Sequence, residues 1–482
     1  MSYYYPRAIV KLRVLPEDFQ LTSDASKQTP QEFNVQARNV TVNVNDHKTA
    51  DSFTAEIDYK NFPFDPRACR YVGVVIYMQD MTSLLNPDGS QKKLIPSDSN
   101  TVFSGFVDEQ TVNFDDTKQT VHFEGRDFTA LLIDQKYAEN VPITLDQPLD
   151  KILGLFLSTF KATQQITVDN RTGVFNTVTN KWDSPPLPTL GQYFPDFSSP
   201  MGNAKNPGSH ESYWEIMQDM VHRAGLICFI ALDKLVLTTP RNLYSNANDI
   251  KFIFGQNVKT LMYKRKLGRF KGFNVLVRSR VEKTVLEAKI PEEATDEWCK
   301  SFGITKQAQV VPVLKPDGTV DSTQSKKAAP YISFPVPDIG NKEQLVKIGQ
   351  TVYEDYSRQQ LDGEMETREM LGHSGRDQKD ANYKAYDLTN LEIGQPIAIE
   401  LGIDDLNSIS RIKSEAERTQ YLVQRNFSPK VARIFANTMG KFSSRFYTKN
   451  YTISMGEDDG FKLKISFINI IELSNKVFVP HV

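Results

Sequence analysis

Apolar and charged residues alternate with a period of two at the start of this chain, and that pattern constrains the fold more than any other feature. Ala8, Val10, Leu12 and Val14 alternate with Arg7, Lys11 and Arg13. A strand puts such a set on one face, whereas a helix would scatter it around its circumference. Val40, Val42 and Val44 repeat the pattern, as do Phe53, Ala55, Ile57 and Tyr59 after the loop 45–51, and Val72, Val74, Ile76 and Met78. The stretch 105–134, GFVDEQTVNFDDTKQTVHFEGRDFTALLID, reads as a hairpin feeding a short helix. Phe106 and Val107 open a strand running through Val112, Asp115 to Lys118 supply the turn, and Thr120 to Phe123 return. Gly125 is expected to break that strand. Asp127 is expected to cap a helix over 128–135 by accepting orphan backbone N–H bonds, with Leu131 and Leu132 on its buried side. At least six strands before residue 125, broken by turn signals, point to an antiparallel sandwich or barrel over residues 1–136.

The rhythm then changes. Asp146 and Pro148 mark a helix start, followed at helical spacing by Leu149, Ile152, Leu153, Phe156 and Phe160. A proline-rich loop covers 185–211. Trp214, Met217, Val221 and Ala224 restore helical spacing, and Gly225 is placed to end that helix. Leu226 to Leu232 and Leu235 to Thr239 form a hairpin across Asp233 and Lys234, which makes 137–254 a small α+β domain. Residues 291–379 read as an irregular insertion with one helix from Lys342 to about Gln360. A second β unit takes 255–290 and 380–482, with a late helix from Ser428-Pro429 carrying Val431, Ile434 and Phe435. A closing hairpin follows, in which Tyr447 to Met455 alternates and Phe461, Leu463, Ile465 and Phe467 return with lysines opposite.

Composition sets the bounds. At 482 residues, roughly three domains of about 150 residues are expected. Hydrophobic residues at 39%, charged residues at 24% and aromatics at 11% are those of folded protein. The formal charge of −2 gives no overall bias toward nucleic acid or anionic lipid. Cys69, Cys228 and Cys299 are too sparse for a disulfide framework or a metal site, which points to assembly in a reducing cytoplasm. The start MSYYYPRAIV lacks the form of a signal peptide. No apolar run approaches the ~18 residues of a membrane span.

Four stretches, in this order, resemble the baseplate hub family of contractile phage tails and related injection machines, which includes late-control proteins and the N-terminal half of type VI secretion spike proteins. They are NDHKTADSFTAEI (45–57), VFSGFVDEQTVNFDDTKQTVHFEGRDFTALLID (102–134), SYWEIMQDMVHRAGLICFIALDKLVLTTP (212–240) and AYDLTNLEIGQPIAIEL (385–401). The loop 185–211 and the insertion 291–379 have no counterpart in that order. The resemblance implies a mainly β chain with α+β insertions, in which two antiparallel tube-like β-barrels are joined by the small α+β domain. It implies a homotrimer whose six barrels match a sixfold tail tube on one side and a threefold central spike on the other. Baseplate wedge and tape-measure proteins are the implied lateral partners, with DNA present only in transit. The implied place is the virion tail baseplate, assembled in the bacterial host cytoplasm. Closed cyclic assembly also buries strand edges that would otherwise aggregate.

The residues offer no catalytic constellation, so no catalytic, cofactor-binding or metal-binding residue is assigned and no enzyme activity is expected. The string GHSGR (372–376) has Arg376 where a nucleophile elbow needs glycine, which leaves Ser374 a plain loop serine. The histidines at 47, 122, 210, 222, 373 and 481 never pair at the i, i+4 spacing of two ligands on one helix face. Glu292-Glu293 and Asp458-Asp459 fit solvated turns better than glycosidase acids. Trp214 with Met217 and Val221 reads as a core stripe. The basic tract 259–283, with Tyr263, Phe270 and Phe273 among Lys264, Arg265, Lys266, Arg269, Lys271, Arg278 and Arg280, reads as strands with a basic wet face. A lumen-facing or partner-facing strip is a second reading of it, and a nucleic-acid groove, whose affinity would fall steeply with salt, a third. The alternatives to a hub are a tail-associated cell-wall hydrolase and a carbohydrate- or receptor-binding tail protein.

Overall fold

A computed structural model of the chain describes residues 5–16, 31–46, 49–65, 69–81, 100–114, 119–137, 144–160, 163–176, 178–179, 181–193, 212–243, 250–255, 257–265, 274–281, 284–290, 309–314, 320–328, 331–335, 342–343, 345–346, 348–349, 359–374, 384–401, 414–433, 445–457 and 459–470. The fold is mainly β. In chain order the first strands are β1 (Tyr5–Pro16), β2 (Gln31–Gln36), β3 (Asn39–Val44), β4 (Ser52–Asp58), β5 (Cys69–Met81), β6 (Thr101–Phe114) and β7 (Gln119–Asp127). Next come α1 (Thr129–Asp134), α2 (Leu149–Ser158), β8 (Thr167–Arg171), β9 (Val174–Asn176), β10 (Lys181–Asp183), α3 (Leu190–Tyr193), α4 (Tyr213–Arg223), β11 (Ile227–Ala231), β12 (Lys234–Thr238) and α5 (Pro240–Leu243). Then follow β13 (Ile250–Phe254), β14 (Thr260–Arg265), β15 (Asn274–Val281), β16 (Thr284–Ile290), β17 (Gln309–Leu314), β18 (Val320–Ala328), β19 (Tyr331–Pro335), β20 (Gln359–Thr367) and β21 (Leu371–Ser374). The last are β22 (Lys384–Asp387), β23 (Pro396–Leu401), α6 (Glu415–Gln424), β24 (Arg445–Gly456) and β25 (Gly460–Ile470).

The large sheet has 15 strands in the order β2-β1-β5-β6-β7-β4-β3-β24-β23-β13-β21-β22, and β25, β20 and β14 continue from the opposite edge of β24. A duplication is written into this order. The run β1-β5-β6-β7-β4-β3 recurs as β13-β23-β24-β25-β20-β14, so strands in the same chain order have the same neighbours. One pairing differs: β1 runs antiparallel to β5, whereas β13 runs parallel to β23. Two closed, all-antiparallel barrels were the expectation. Instead the described strands form one continuous sheet, because the outer edge of β3 pairs with β24 of the second unit rather than returning to its own.

One apolar core runs through both units. It takes Val10, Leu12, Phe53, Phe103 and Phe123 from the first and Phe252, Ile453, Leu463, Ile465 and Phe467 from the second. Fully burying each such side chain is worth about 1.5–3 kcal/mol. A second core holds the α+β region. There α2 presents Leu149, Ile152, Leu153, Phe156 and Leu157, and α4 presents Trp214, Met217 and Val221, toward the sheet β11-β12-β8. Phe106 and α1 belong to this second core, so the β6–β7 hairpin carries a face in each.

Several expectations need correction in detail. Gly125 does not end β7, which continues to Asp127. The β11–β12 turn is Leu232-Asp233, one residue earlier than expected, with Ala231 opposite Lys234 and Leu232 at φ 56°. Part of the proline-rich loop is packed, since Leu187 and Leu190 are buried in the second core and Leu190 donates its N–H to the Gln147 carbonyl. The insertion 291–379 is not irregular among the described residues. It contains β17 to β19, and its last strands, β20 and β21, belong to the large sheet. The helix expected over 342–360 appears as helical residues within 342–349, whereas Gln359 already begins β20. In the late helix, residues 429–433 are helical with Ala432 buried and Val431 exposed, while Ile434 and Phe435 lie outside the described residues, as does the turn 115–118.

Candidate functional site

The duplication extends to single residues. In the first hairpin Val107 faces Gly125 and Glu109 faces Glu124, which leaves Asp108 as a bulge. In the second, Thr448 faces Phe467 and Asn450 faces Ser466, which leaves Lys449 as a bulge at the corresponding place. A bulge re-aims one side chain and tightens the local twist. Here it turns Asp108 to Arg126, whose guanidinium meets Asp108 at 2.7 and 3.1 Å and Asp134 of α1 at 2.7 and 3.3 Å. These bonds, first to Asp108 and then to Asp134, raise the Arg126 pKa.

A large–small pair sits at matching positions with its members exchanged. Phe53 of β4 faces Gly125 of β7, and Gly363 of β20 faces Phe467 of β25. A Cβ at Gly125 would lie 2.0 Å from the Phe106 carbonyl oxygen and 2.8 Å from the Phe53 ring. A Cβ at Gly363 would lie 2.2 Å from the Phe467 ring. Each unit thus fits one aromatic ring across one bare backbone, in opposite order.

The seam between the units is β3 against β24, with Val44 opposite Tyr451, Val42 opposite Ile453 and Val40 opposite Met455. On its outer face Thr41 and Ser454 hydroxyls meet at 3.3 Å, and Thr452 donates to Asn43 Oδ1 at 2.9 Å. Near one end of this seam lie two carboxylates. Asp127 accepts from the Thr129 N–H at 3.1 Å and the Thr129 hydroxyl at 2.9 Å, and its own N–H donates to the Asp51 carbonyl at 3.0 Å. Asp127 was expected as the N-cap of a helix from Phe128; α1 instead begins at Thr129 with Phe128 in the N-cap position and no side-chain cap, so Asp127 sits one residue further out and closes a turn onto the Thr129 N–H and hydroxyl. Asp51 accepts from the Asn45 N–H at 2.8 Å. Burial, partly offset by the Thr129 bonds, pushes the Asp127 carboxyl up to about 7. Burial and then the Asp127 charge hold Asp51 well above the usual carboxylate range. Tyr451 of β24 is buried beside them, and its hydroxyl donates to the Leu391 carbonyl. Its pKa is raised by burial and then by the Asp51 charge.

A second link joins the α+β region to the second unit. Arg171 of β8 meets Asp169 at 2.9 Å and Glu392 at 2.8 Å. Two local motifs went unread in the sequence. Ser212 and Glu215 form a capping box, with the Ser212 hydroxyl accepting from the Glu215 N–H at 3.2 Å and Glu215 accepting from the Ser212 N–H at 2.7 Å. The S-x-x-E spacing was the available signal. The D-x-T turn of Asp127 recurs at Asp387, which accepts from the Thr389 N–H at 2.9 Å and its hydroxyl at 2.7 Å.

Among the described residues, those weighed for chemistry do not converge. Ser374 ends β21 rather than sitting in a loop, where Gly372 packs under Ile250 and Leu388. His122 lies on β7, facing Glu56 and Thr111 across the neighbouring strands. His222 is on α4 and His373 on β21, while His47, His210 and His481 lie outside the described residues. Asp459 is exposed in the β24–β25 turn, and Asp458, Glu292 and Glu293 lie outside the described residues. Trp214, Met217 and Val221 are core. Of the basic tract, 266–273 lies outside the described residues. Tyr263 packs on Phe446 and Phe467 at ring distances of 5.8 Å each. Among the described residues no group of three His, Cys, Asp or Glu is placed to hold a metal ion, and no helix is long and apolar enough to cross a membrane.

No protein-family model matches the sequence, and no curated protein matches it. The fold is similar to solved tail and injection-system structures. A tail protein from Neisseria meningitidis is 13% identical at a TM-score of 0.49, with 96% of each chain covered. A 43 kDa prophage tail protein from Shewanella oneidensis is 12% identical at 0.47, with 96% of this chain and 98% of that one covered. An Escherichia coli type VI secretion component is 8% identical at 0.40, with 90% of this chain and 74% of that one covered.

Proposed function

We propose that this chain is a structural hub of a contractile tail baseplate that acts by assembly rather than catalysis. It would be a homotrimeric adaptor between a sixfold tail tube and a threefold central spike, with wedge and tape-measure proteins at its sides. The observation that supports this most is the duplication: two six-strand runs with the same neighbours and a bulge at the same hairpin position. A chain built of two similar units gives a trimer six similar faces toward one neighbour and three repeats toward the other. The domain division we propose places the first unit in 1–136 and the α+β domain in 137–254. The second unit takes 255–290 and 380–482 and extends into the 291–379 insertion through β20 and β21.

The experiment is light scattering on the purified chain over a range of concentrations. A mass of three chains, with an interface well above the ~1,000 Å² of a biological contact, is expected. A monomer at every concentration overturns the reading.

A further inference from the structure

The two carboxylates near the end of the seam sit where three parts of the molecule meet. In the β4–β7 register Ser52 faces Arg126, so Asp51 and Asp127 follow as the next opposed pair, on the side of the sheet that Phe53 occupies. Like charges directly opposite in a sheet repel. Asp127, 5% exposed, is the last residue of β7 and holds Thr129, the first residue of α1, whose Ala130 and Leu132 are packed in the second core. Asp51 closes the 45–51 loop by accepting from the Asn45 N–H, and the Asn45 side-chain amide donates to the Ala50 carbonyl. Tyr451 of β24 brings in the second unit. It faces Val44 across the seam and donates its hydroxyl to the Leu391 carbonyl. The first unit, the second unit and the α+β region are thus joined around one acid pair.

We propose that this pair is a proton-operated latch: while it carries a proton, the 45–51 loop, α1 and Tyr451 stay packed together, and when both carboxylates are charged, the loop and α1 come away from the seam while the strands stay paired. The latch does not depend on the hub reading. The groups around the pair set its response. From β7, Arg126 is turned to Asp108 and to Asp134 of α1, and its charge lowers the Asp127 carboxyl less than burial raises it. From α1, Thr129 offers its N–H and hydroxyl. From β24, Tyr451 commits its hydroxyl proton to Leu391, and the charge of Asp51 acts on it. Beyond it, Glu392 and Tyr386 of β22 act on Tyr451, and Glu392 is bound at 2.8 Å by Arg171 of β8, which also holds Asp169. His47 and Lys48 of the loop lie outside the described residues. Burial pushes Asp127 up to about 7 and holds Asp51 well above the usual carboxylate range, so the packed form keeps protons that the open form releases. Opening is therefore hardest below about pH 4 and becomes easier by up to about tenfold per pH unit as pH rises toward about 7. Local opening of this kind needs less free energy than unfolding of the sheets.

The test is amide hydrogen exchange of the full chain, read by mass spectrometry from pH 5 to pH 8 and corrected for the intrinsic pH dependence of exchange. Peptides covering 44–52 and 127–134 are compared with peptides from β1 and β5. The first two are expected to lose about tenfold or more in protection between pH 5 and pH 7, and at pH 7 to exchange about tenfold or more faster than β1 and β5. In Asp127→Asn their protection should be nearly level with pH. Asp51→Asn, which removes the charge opposite Asp127, should reduce the pH dependence and keeps the test valid if Asp127→Asn fails to fold. His47→Gln should leave it unchanged. Exchange of 44–52 and 127–134 in step with β1 and β5 at every pH overturns the proposal. So does a protection that does not fall with pH, a fall that both Asp variants retain in full, or one that disappears in His47→Gln.

Discussion

Replacing Asp127 with asparagine removes one titrating group while keeping a side-chain oxygen for the Thr129 N–H. The Asp127 carboxyl is held near 7 against an ordinary 3.8, chiefly by burial. That is about 3 units, and at 1.36 kcal/mol per unit it amounts to about 4 kcal/mol. The folded state keeps a proton that the unfolded chain releases. Stability from this group is thus greatest below about pH 4, declines as pH rises toward about 7, and is level above that. Asp51, whose pKa is raised by burial and by the Asp127 charge, adds to the penalty in the same direction. The variant removes the Asp127 penalty and the part of the Asp51 penalty due to the Asp127 charge, and leaves the part due to the burial of Asp51. In urea titrations followed by fluorescence of the buried Trp214 region, Asp127→Asn is expected to exceed the parent in stability at pH 8 by up to about 4 kcal/mol. At pH 4 the two should agree within about 1 kcal/mol, the scale of a helix cap. A variant less stable than the parent at pH 8, or one with the parent's full pH dependence, would refute the buried acid pair.

Two further perturbations test the packing. Gly125→Ala drives a Cβ against a backbone carbonyl that cannot rotate away, and is expected to cost about 3 kcal/mol or more, read by denaturation. Gly363→Ala meets mainly the Phe467 ring, so a double-mutant cycle with Phe467→Leu should show a favourable coupling of about 1 kcal/mol, whereas Gly125→Ala with Phe53→Leu should not. Ser212→Ala removes the hydroxyl from the α4 capping box and should cost about 1 kcal/mol; unchanged melting would remove that assignment.

Strands with strong apolar alternation were legible in the sequence, because a half-buried strand needs that period and nothing else supplies it. The β6–β7 hairpin, α2, α4 and the Gly225 stop (φ 73°) all follow from local patterning. What failed to show were strands whose inner face is not apolar. In β20 the inward residues are Gly363, Met365 and Thr367, while Glu364 and Glu366 face outward to Lys464 and Lys462. Gly363 is there because Phe467 fills its space, a tertiary reason that no local window contains. The same holds for closure. Whether β3 returns to its own unit or pairs with β24 is decided by residues some 400 positions apart, such as Thr41 and Ser454. The acid pair was half legible: Asp127 read as a cap, but its burial beside Asp51 depends on how β4 and β7 meet.

Face-on averaged images of the purified protein by electron microscopy test the central claim most directly. The account predicts a closed ring of three chains in which six similar lobes repeat at about 60° around the axis, as closed cyclic symmetry with duplicated units requires. A single particle with one lobe pair, or a threefold ring whose alternate lobes cannot be superposed, would contradict it.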